Sequence, residues 1–157
     1  MNNKLNDEQI EELIHEQLVG HLGCHTDGRT YVVPISYAYD GSYLYMHTYE
    51  GLKIDMMRKN PEVCFQIDDK KNLDKWRSVI LWGEFEEVTE ASERKTALEI
   101  LFSRNLPIVT SETMRLGTSW PFHSENFNSV KGVVFRINVH EKTGRSEESK
   151  KSKYYSS

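Results

Sequence analysis

Two Asp-Gly pairs constrain how the N-terminal part of this chain can fold. Asp27-Gly28 and Asp40-Gly41 each lie between runs rich in Val, Ile, Tyr and Thr. An Asp-Gly pair between alternating apolar and polar residues is the strongest short-range sign of a β-hairpin. The pattern therefore predicts a three-stranded antiparallel meander over roughly Val19–Thr26, Arg29–Tyr39 and Ser42–Thr48.

A proline interrupts the middle strand of this meander. Pro34 lacks the backbone N–H that a strand residue donates to its neighbour, so three arrangements are open: an edge strand, a bulge or a gap in pairing. A gap would leave neighbouring backbone groups free to hydrogen-bond a ligand. The sequence does not choose among the three.

Three later segments complete the predicted sheet. The runs EVCFQID, WRSVILWGEFEEV and VKGVVFRINVHEK alternate apolar with polar residues, and they begin at Glu62, Trp76 and Val130. Helices are expected before the first strand, where Asn6 and Gln9 form a capping box, and at two later places in the chain. Six antiparallel strands with few, peripheral helices predict a mainly β fold, closed or partly closed into a small barrel.

Composition and charge narrow the classes of partner and location. The chain has 157 residues, which suits one domain, here residues 1–145, followed by a polar tail over 146–157. A formal net charge of −4 argues against general binding to nucleic acid or anionic membranes. No apolar run reaches membrane-spanning length, and the polar N-terminus does not resemble a signal peptide. We therefore expect a cytoplasmic protein in which Cys24 and Cys64 are reduced thiols.

The stretch HTYEGLKIDMMRKNP, from His47 to Pro61, predicts a strand end, a glycine-bearing turn and a helix. Lys53 falls in the first helical turn, where the helix dipole already favours a negative charge. Backbone N–H groups near Gly51 and the Lys53 ammonium together predict a phosphate-binding site, with a solvated surface lysine as the alternative. His47 lies at the adjoining strand end, where a ligand contact and a structural hydrogen bond are both open.

Other histidines and the tryptophans give weaker signals. His21 and His25 share one face of their strand while Cys24 faces the other way, so no metal site is expected there. Trp82 and Trp120 are both candidates to line a flat aromatic ligand, although a core position is the default expectation for Trp82.

Two long stretches, taken together, resemble a known family. The segment GHLGCHTDGRTYVVPISYAYDGSYLYMHTYEGLKIDMMRKNPEVCFQID and the later WRSVILWGEFEEV are similar to the FMN-binding split β-barrel superfamily of pyridoxamine 5′-phosphate oxidase. The likeness is greatest to the branch of 5-nitroimidazole resistance proteins, and it extends to VVFRINVHEKTG. The resemblance implies a mainly β split β-barrel of six antiparallel strands in Greek-key-like order. It also implies a homodimer that holds FMN in clefts between its subunits.

The resemblance also assigns a cofactor site. The strand YVVPIS matches the one whose backbone faces the flavin ring, and Met46 and His47 match a pair that lies along the cofactor. Lys53, shortly after Gly51, matches the lysine that holds the phosphate, whereas Leu52 replaces the basic residue that usually precedes it. With Trp120 added as an aromatic wall, the expected cofactor-binding set is Val33, Pro34, Ile35, Ser36, Met46, His47, Gly51, Lys53, Ser78 and Trp120.

The activity implied by this family is redox chemistry on a small molecule. We expect an FMN-dependent oxidoreductase of the flavin reductase or nitroreductase kind, with NAD(P)H as electron donor and a nitro-aromatic or quinone as acceptor. His47 is the expected catalytic residue, as a hydrogen-bond or proton donor to the substrate. A non-catalytic FMN or haem carrier or sensor on the same barrel is the alternative. Pyridoxamine 5′-phosphate oxidase activity is not expected, because the chain lacks the C-terminal tryptophan- and glycine-rich segment of the oxidases.

Overall fold

Eight strands and three helices make up the part of the chain that the computed structural model describes, residues 2–104 and 129–149. The strands are β1 Asn2–Lys4, β2 Val19–Thr26, β3 Arg29–Ser36, β4 Ala38–Tyr39, β5 Tyr43–Thr48, β6 Glu62–Asn72, β7 Lys75–Glu87 and β8 Val133–Glu148. The helices are α1 Asp7–Glu16, α2 Leu52–Lys59 and α3 Ala91–Phe102. The prediction of a mainly β fold is confirmed. The predicted number of six strands is too low, because β1 and β4 were not foreseen.

The sheet closes because its two end strands are consecutive in the chain. Hydrogen-bonded neighbours follow the order β3-β2-β6-β7-β8-β5-β4, all antiparallel, and β1 pairs with β8. Tyr37 alone separates β3 from β4, so the predicted middle strand is broken there. Its hydroxyl donates a 2.6 Å hydrogen bond to the Ile14 carbonyl at the end of α1. The sheet must curl until its ends meet, which produces the split barrel expected from the sequence.

Both Asp-Gly pairs form turns, as predicted. Asp27 and Gly28 have φ angles of 53° and 74° and join β2 to β3 through a two-residue loop. Gly41 has a φ angle of 100° in the turn that precedes β5. Positive φ at these positions matches the twist of a hairpin, and glycine adopts it without steric cost.

Pro34 lies on an edge strand whose pairing is uninterrupted. β3 is the terminal strand in the sheet order, and Pro34 stands opposite His21 within a continuous register along β2. An edge strand tolerates the missing N–H because one of its sides has no neighbour. The edge interpretation is therefore correct, and no gap in pairing is present along β3.

Two groups of buried apolar side chains stabilise the fold. The barrel core lies inside the curled sheet and includes Leu22, Ile35, Phe65, Leu81 and Phe135, with α1 and α2 adding Leu13, Ile54 and Met57. The α3 cluster lies between α3 and the neighbouring strands and comprises Ala38, Tyr45, Val88, Ala97, Leu98, Leu101, Val130 and Val134.

The last strand continues further than its apolar pattern indicated. β8 pairs with β7 as far as Glu148, and β1 pairs with β8 over residues 145–147. The domain boundary predicted at residue 145 therefore falls inside a strand, while residues 150–157 lie outside the described part. The polar segment between the predicted strands EVCFQID and WRSVILWGEFEEV is mostly strand as well, because β6 continues to Asn72 and β7 begins at Lys75. No helix within residues 2–104 and 129–149 is long and apolar enough to cross a bilayer.

Candidate functional site

The N-terminus of α2 presents unpaired backbone donors. Gly51 is the N-cap residue, and no side chain caps the helix there. The first helical hydrogen bond runs from the Asp55 N–H to the Gly51 carbonyl at 3.1 Å, so earlier N–H groups have no partner within the helix. Gly51 has an extended backbone, which any residue adopts, and a Cβ there would meet only the Tyr49 carbonyl oxygen at 3.9 Å. The space around this helix start is open to an anion.

Lys53 differs from the other cations of the same helix. Arg58 pairs with Glu50 and Glu87, and Lys59 pairs with Asp27. Lys53 is half-buried, and none of the described carboxylates forms an ion pair with it. Burial lowers the pKa of Lys53, and the Cys24 thiol of β2 acts in the opposite direction. A half-buried ammonium beside an uncapped helix start, with no described carboxylate paired to it, is suited to bind an anion.

Residues of three strands form an outer face beside the edge of the barrel. We define the outer face as Val32, Pro34, Gln66, Ser78 and Trp82, which alternate with core residues on β3, β6 and β7. Val32 is 60% exposed and Trp82 39% exposed. The Gln66 amide donates to the Ser78 hydroxyl at 3.0 Å, which fixes the polar part of this face. The core position expected for Trp82 is wrong, because strand alternation turns its indole outward.

Sequence reasoning missed Val32 and Gln66 as members of this face. Gln66 also lies 3.2 Å from the His21 ring, which stands on β2 opposite Pro34. The sequence contains the alternation that puts Val32 on the same side as Pro34. The register between strands, which brings Gln66 to Ser78, is not visible in either strand alone.

Several residues of the predicted cofactor set have side chains inside the barrel. Ile35 and Met46 are fully buried in the barrel core, and Val33 packs against it. The side chains of Ile35 and Met46 are therefore enclosed, so a ligand outside the barrel reaches only their backbone, whereas Val33 is partly exposed. Ser36 is also buried, at the end of β3. Of the other members, Pro34 and Ser78 are on the outer face, Gly51 and Lys53 start α2, and Trp120 lies outside the described residues. Their contacts with a cofactor stay predictions.

His47 occupies a different environment from Lys53. Its ring is 4% exposed, and its Nε2–H donates to the Lys131 carbonyl. Nδ1 is buried, and none of the described residues forms a hydrogen bond with it. Burial lowers the pKa of His47, and the nearby charges of Arg94 and Arg104 lower it further, against the hydrogen bond to Lys131. The neutral ring therefore has its single N–H on Lys131 and a lone pair on Nδ1. Its predicted role as a donor to substrate is untested and disfavoured by this arrangement.

The turn that receives the His47 hydrogen bond is closely constrained. Gly132 has a φ angle of 98°, and a Cβ there would lie 2.8 Å from His47 Nε2. Arg94 of α3 donates to the Val130 carbonyl at 2.7 Å. The backbone of residues 130–132 is thus held by α3 on one side and by His47 on the other, which fixes the orientation of the ring.

The histidines of β2 do not meet in a metal site. His21 lies against Gln66, and the His25 ring lies 3.0 Å from the Thr30 hydroxyl. The described residues contain no group of three or more metal-type ligands. Cys24 and Cys64 are free thiols, and burial raises the pKa of both. The expectation that Cys24 faces away from His21 and His25 is confirmed, since Cys24 belongs to the barrel core.

Comparisons with known proteins agree with this architecture. A family model described as pyridoxamine 5′-phosphate oxidase matches residues 6–146. An uncharacterised protein of Rhizobium meliloti (strain 1021) is 36% identical over 81 residues, which are 52% of this chain and 54% of the relative. The chain therefore spans about half the length of the curated relative that it matches.

Solved structures extend the comparison across nearly the whole chain. A FAD-binding protein of Mesorhizobium loti is 28% identical with a TM-score of 0.71, over 94% of this chain and 99% of that one. A protein provisionally named for 5-nitroimidazole antibiotic resistance, from Bacteroides thetaiotaomicron, is 22% identical with a TM-score of 0.71, over 93% and 87%. A FAD and haem binding protein of Mycobacterium smegmatis is 12% identical with a TM-score of 0.65, over 94% and 74%. The last two similarities concern the fold alone. The matched family model and the split-barrel fold together show that the chain belongs to the pyridoxamine 5′-phosphate oxidase-like family of split-barrel proteins.

Proposed function

We propose that this chain binds FMN, with the phosphate at the N-terminus of α2, and acts as an FMN-dependent oxidoreductase on a small molecule such as a nitro-aromatic. The observation that carries the proposal is Lys53, a half-buried ammonium to which no described carboxylate is paired, beside an uncapped helix start. Membership of the family and the FAD-binding name of the Mesorhizobium loti protein support a flavin.

The residues at this site fit a phosphate ester. The N–H groups of the first turn of α2 point along the helix axis toward the proposed position of the phosphate, and the helix dipole favours negative charge there. Lys53 supplies a full positive charge whose partial desolvation strengthens its attraction for that anion. Leu52, 44% exposed, supplies no second charge. Lys53 therefore has to carry most of the side-chain contribution to phosphate affinity.

The remaining chemistry divides between cofactor and chain. Bound FMN would accept and release electrons in one- or two-electron steps, with NAD(P)H as the proposed donor. The chain would bind and orient it, with the backbone of β3 and the Ser78 hydroxyl beside the ring. His47 would act through the backbone, because its Nδ1 is buried and its Nε2–H holds the turn at Lys131.

Homodimer formation is part of the proposal. The outer face exposes Val32, Pro34 and Trp82 together, an apolar surface that a second copy would cover. Two-fold symmetric dimers are the commonest oligomers, and they bury the same face of each subunit. A dimer would also supply a second wall for a flat cofactor. Light scattering of the purified chain tests this, and a flavin-bound monomer would contradict it.

FAD is a second candidate cofactor because of a cleft along α2 that includes Leu52, the residue before Lys53. This cleft has a volume of about 330 Å³ and lies between the β2–β3 turn and α2, with Leu52, Met56 and Arg29 in its lining. Leu52 offers an apolar contact for an adenine ring next to the proposed phosphate site. A non-catalytic flavin or haem carrier is the remaining alternative, and the name of the FAD and haem binding protein of Mycobacterium smegmatis motivates it. Bound flavin that no pyridine nucleotide reduces would favour the carrier.

Substitution of Lys53 tests the phosphate site. Lys53→Ala should weaken FMN binding by about tenfold to a hundredfold, because a charge-assisted contact is worth about 1.5–3 kcal/mol. Riboflavin, which lacks the phosphate, should bind both proteins equally. Lys59→Ala is the matched control, since Lys59 lies on the same helix and pairs with Asp27. Fluorescence quenching measures the affinities of FMN and riboflavin for the unaltered chain and both variants. Equal losses for FMN and riboflavin, or no loss for either, would show that the phosphate lies elsewhere.

A further inference from the structure

A second cleft, with a volume of about 290 Å³, lies between the ends of α1 and α3 and the β3–β4 junction. Its lining shares no residue with the Lys53 site or the outer face. Apolar walls come from both helices and from the junction, and Arg104 supplies a charged group at the end of α3. The main apolar lining residues are Ile14, Leu18, Tyr37, Ala38 and Ile100.

Arg104 brings a positive charge to this cleft, and no acidic side chain among the described residues pairs with it. Its Nε donates to the Leu101 carbonyl at 2.9 Å and its Nη1 to the Tyr37 carbonyl at 3.1 Å. Throughout the described ranges, no carboxylate forms an ion pair with it, in contrast to Arg58, which pairs with two. Burial lowers the pKa of Arg104 to about 10, so the guanidinium stays charged at neutral pH.

Two carbonyl groups near the cleft accept hydrogen bonds from hydroxyl groups of the chain and not from Arg104. Ile14 at the end of α1 accepts from the Tyr37 hydroxyl at 2.6 Å. Ile100 near the end of α3 accepts from the Ser103 hydroxyl at 2.7 Å. A guanidinium has five N–H donors, and the two acceptors of Arg104 among the described residues are neutral carbonyls, which do not offset its charge. The described lining of the cleft contains no acidic residue.

We propose that this cleft binds a small organic monocarboxylate with an apolar body, whose carboxylate pairs with Arg104. The planar guanidinium suits a carboxylate, which it binds through two parallel hydrogen bonds. The apolar walls suit a ring or short alkyl body. A volume of about 290 Å³ accommodates a ligand of the size of benzoate. The proposal concerns a site apart from the flavin and does not depend on flavin binding.

A carboxylate bound in this cleft would change the electrostatic environment of His47 and so its pKa. The charge of Arg104 is one of the influences that hold the pKa of His47 down, after burial of the ring. A carboxylate paired with Arg104 offsets that charge. The His47 pKa should therefore rise when the site is filled. This pKa is a useful readout because His47 does not line the cleft.

Titration calorimetry with benzoate on the full chain tests the proposal. Benzoate should bind saturably, and benzyl alcohol, of the same shape without charge, should bind at least about tenfold more weakly. Arg104→Gln should reduce benzoate affinity by about tenfold or more and leave benzyl alcohol unchanged. Arg104→Lys should retain part of the affinity. The imidazole NMR signals of His47 should titrate at higher pH in the presence of benzoate.

Two further variants keep the test decisive. Gln17→Trp places a large side chain at the cleft while leaving Arg104 in place, and it should abolish benzoate binding even if Arg104→Gln proves too unstable to measure. Lys53→Ala should bind benzoate as the unaltered chain does. Absent benzoate binding, equal affinity for benzyl alcohol, or unchanged affinity in Gln17→Trp would each overturn the proposal. Loss of benzoate binding in Lys53→Ala would assign the anion to the flavin site and would also overturn it.

Discussion

The barrel core and the α3 cluster bury similar apolar side chains but differ in the polar groups beside them. In the barrel core, the Tyr37 hydroxyl is satisfied by the Ile14 carbonyl. Beside the α3 cluster, His47 has a buried Nδ1 without a partner, and Arg104 has no carboxylate partner among the described residues. Buried polar groups without partners cost stability, so they persist where something other than packing selects them. The contrast separates a region whose buried hydroxyl is paired from one in which two polar groups lack such partners among the described residues.

A matched pair of leucines gives the largest expected effect. Leu81 of β7 is fully buried in the barrel core. Leu81→Ala should lower the free energy of unfolding by about 4–5 kcal/mol, the upper end of the range for such truncations, because strands on both sides prevent collapse of the cavity. Urea unfolding followed by circular dichroism measures it. A loss below about 2 kcal/mol would mean that the barrel core repacks easily.

The second leucine of the pair lies in the α3 cluster. Leu98 is as fully buried as Leu81 but belongs to the smaller cluster. Leu98→Ala should cost about 2–3 kcal/mol, because one helix at the rim of the sheet can shift to fill part of the cavity. Unfolding under the conditions used for Leu81→Ala provides the comparison. Equal losses in the two variants would show that the clusters form one cooperative core.

Removal of the Tyr37 hydroxyl measures how much a paired polar group in the barrel core contributes to stability. Tyr37→Phe keeps the ring and removes the 2.6 Å hydrogen bond to Ile14. The free energy of unfolding should fall by about 1–3 kcal/mol, because the Ile14 carbonyl is left buried without its donor. The fold should otherwise be unchanged in NMR spectra. An unaffected stability would indicate that water reaches this carbonyl.

The pH dependence of stability reports the burial of neutral His47. Its pKa is lowered in the folded chain relative to about 6.5 when unfolded, so below that pH the unfolded state binds the proton more readily. Stability should fall as the pH drops below about 6.5, by at most about 1.4 kcal/mol per pH unit from this residue. His47→Gln, which retains a donor for Lys131, should have a flatter profile. Parallel profiles for the two proteins would contradict a lowered His47 pKa.

Local sequence signals predicted the hairpins and the first helix well. The capping box of Asn6 and Gln9 is present, with Gln9 N–H donating to Asn6 at 2.8 Å. The positive φ angles at Asp27 and Gly28 follow from the residue types themselves. The start of α3 was less predictable, because Glu90 caps it by accepting from the N–H groups of Ser92 and Glu93. The nearby Thr89 and Ser92 are of residue types that cap helices more often, so local preference alone favours a different start.

The candidate site was predictable only in part. Lys53 and Gly51 lie where the strand–turn–helix pattern placed them. The orientation of Met46 into the barrel and of Trp82 out of it depends on which strand face becomes the interior. The partner of His47 is Lys131, remote in sequence and brought near by the pairing of β5 with β8. No local pattern contains that information.

By itself, the sequence determined the local elements: turns where glycine and aspartate adopt positive φ, strands where apolar residues alternate, and a cation at a helix start. These depend on interactions between residues a few positions apart. The tertiary structure decided the rest. Closure through Tyr37 selected the interior face of every strand, and strand register joined Gln66 to Ser78. It also left the Lys53 ammonium and the Arg104 guanidinium without described carboxylate partners, because pairing of charges depends on which distant chain segments meet in the folded barrel.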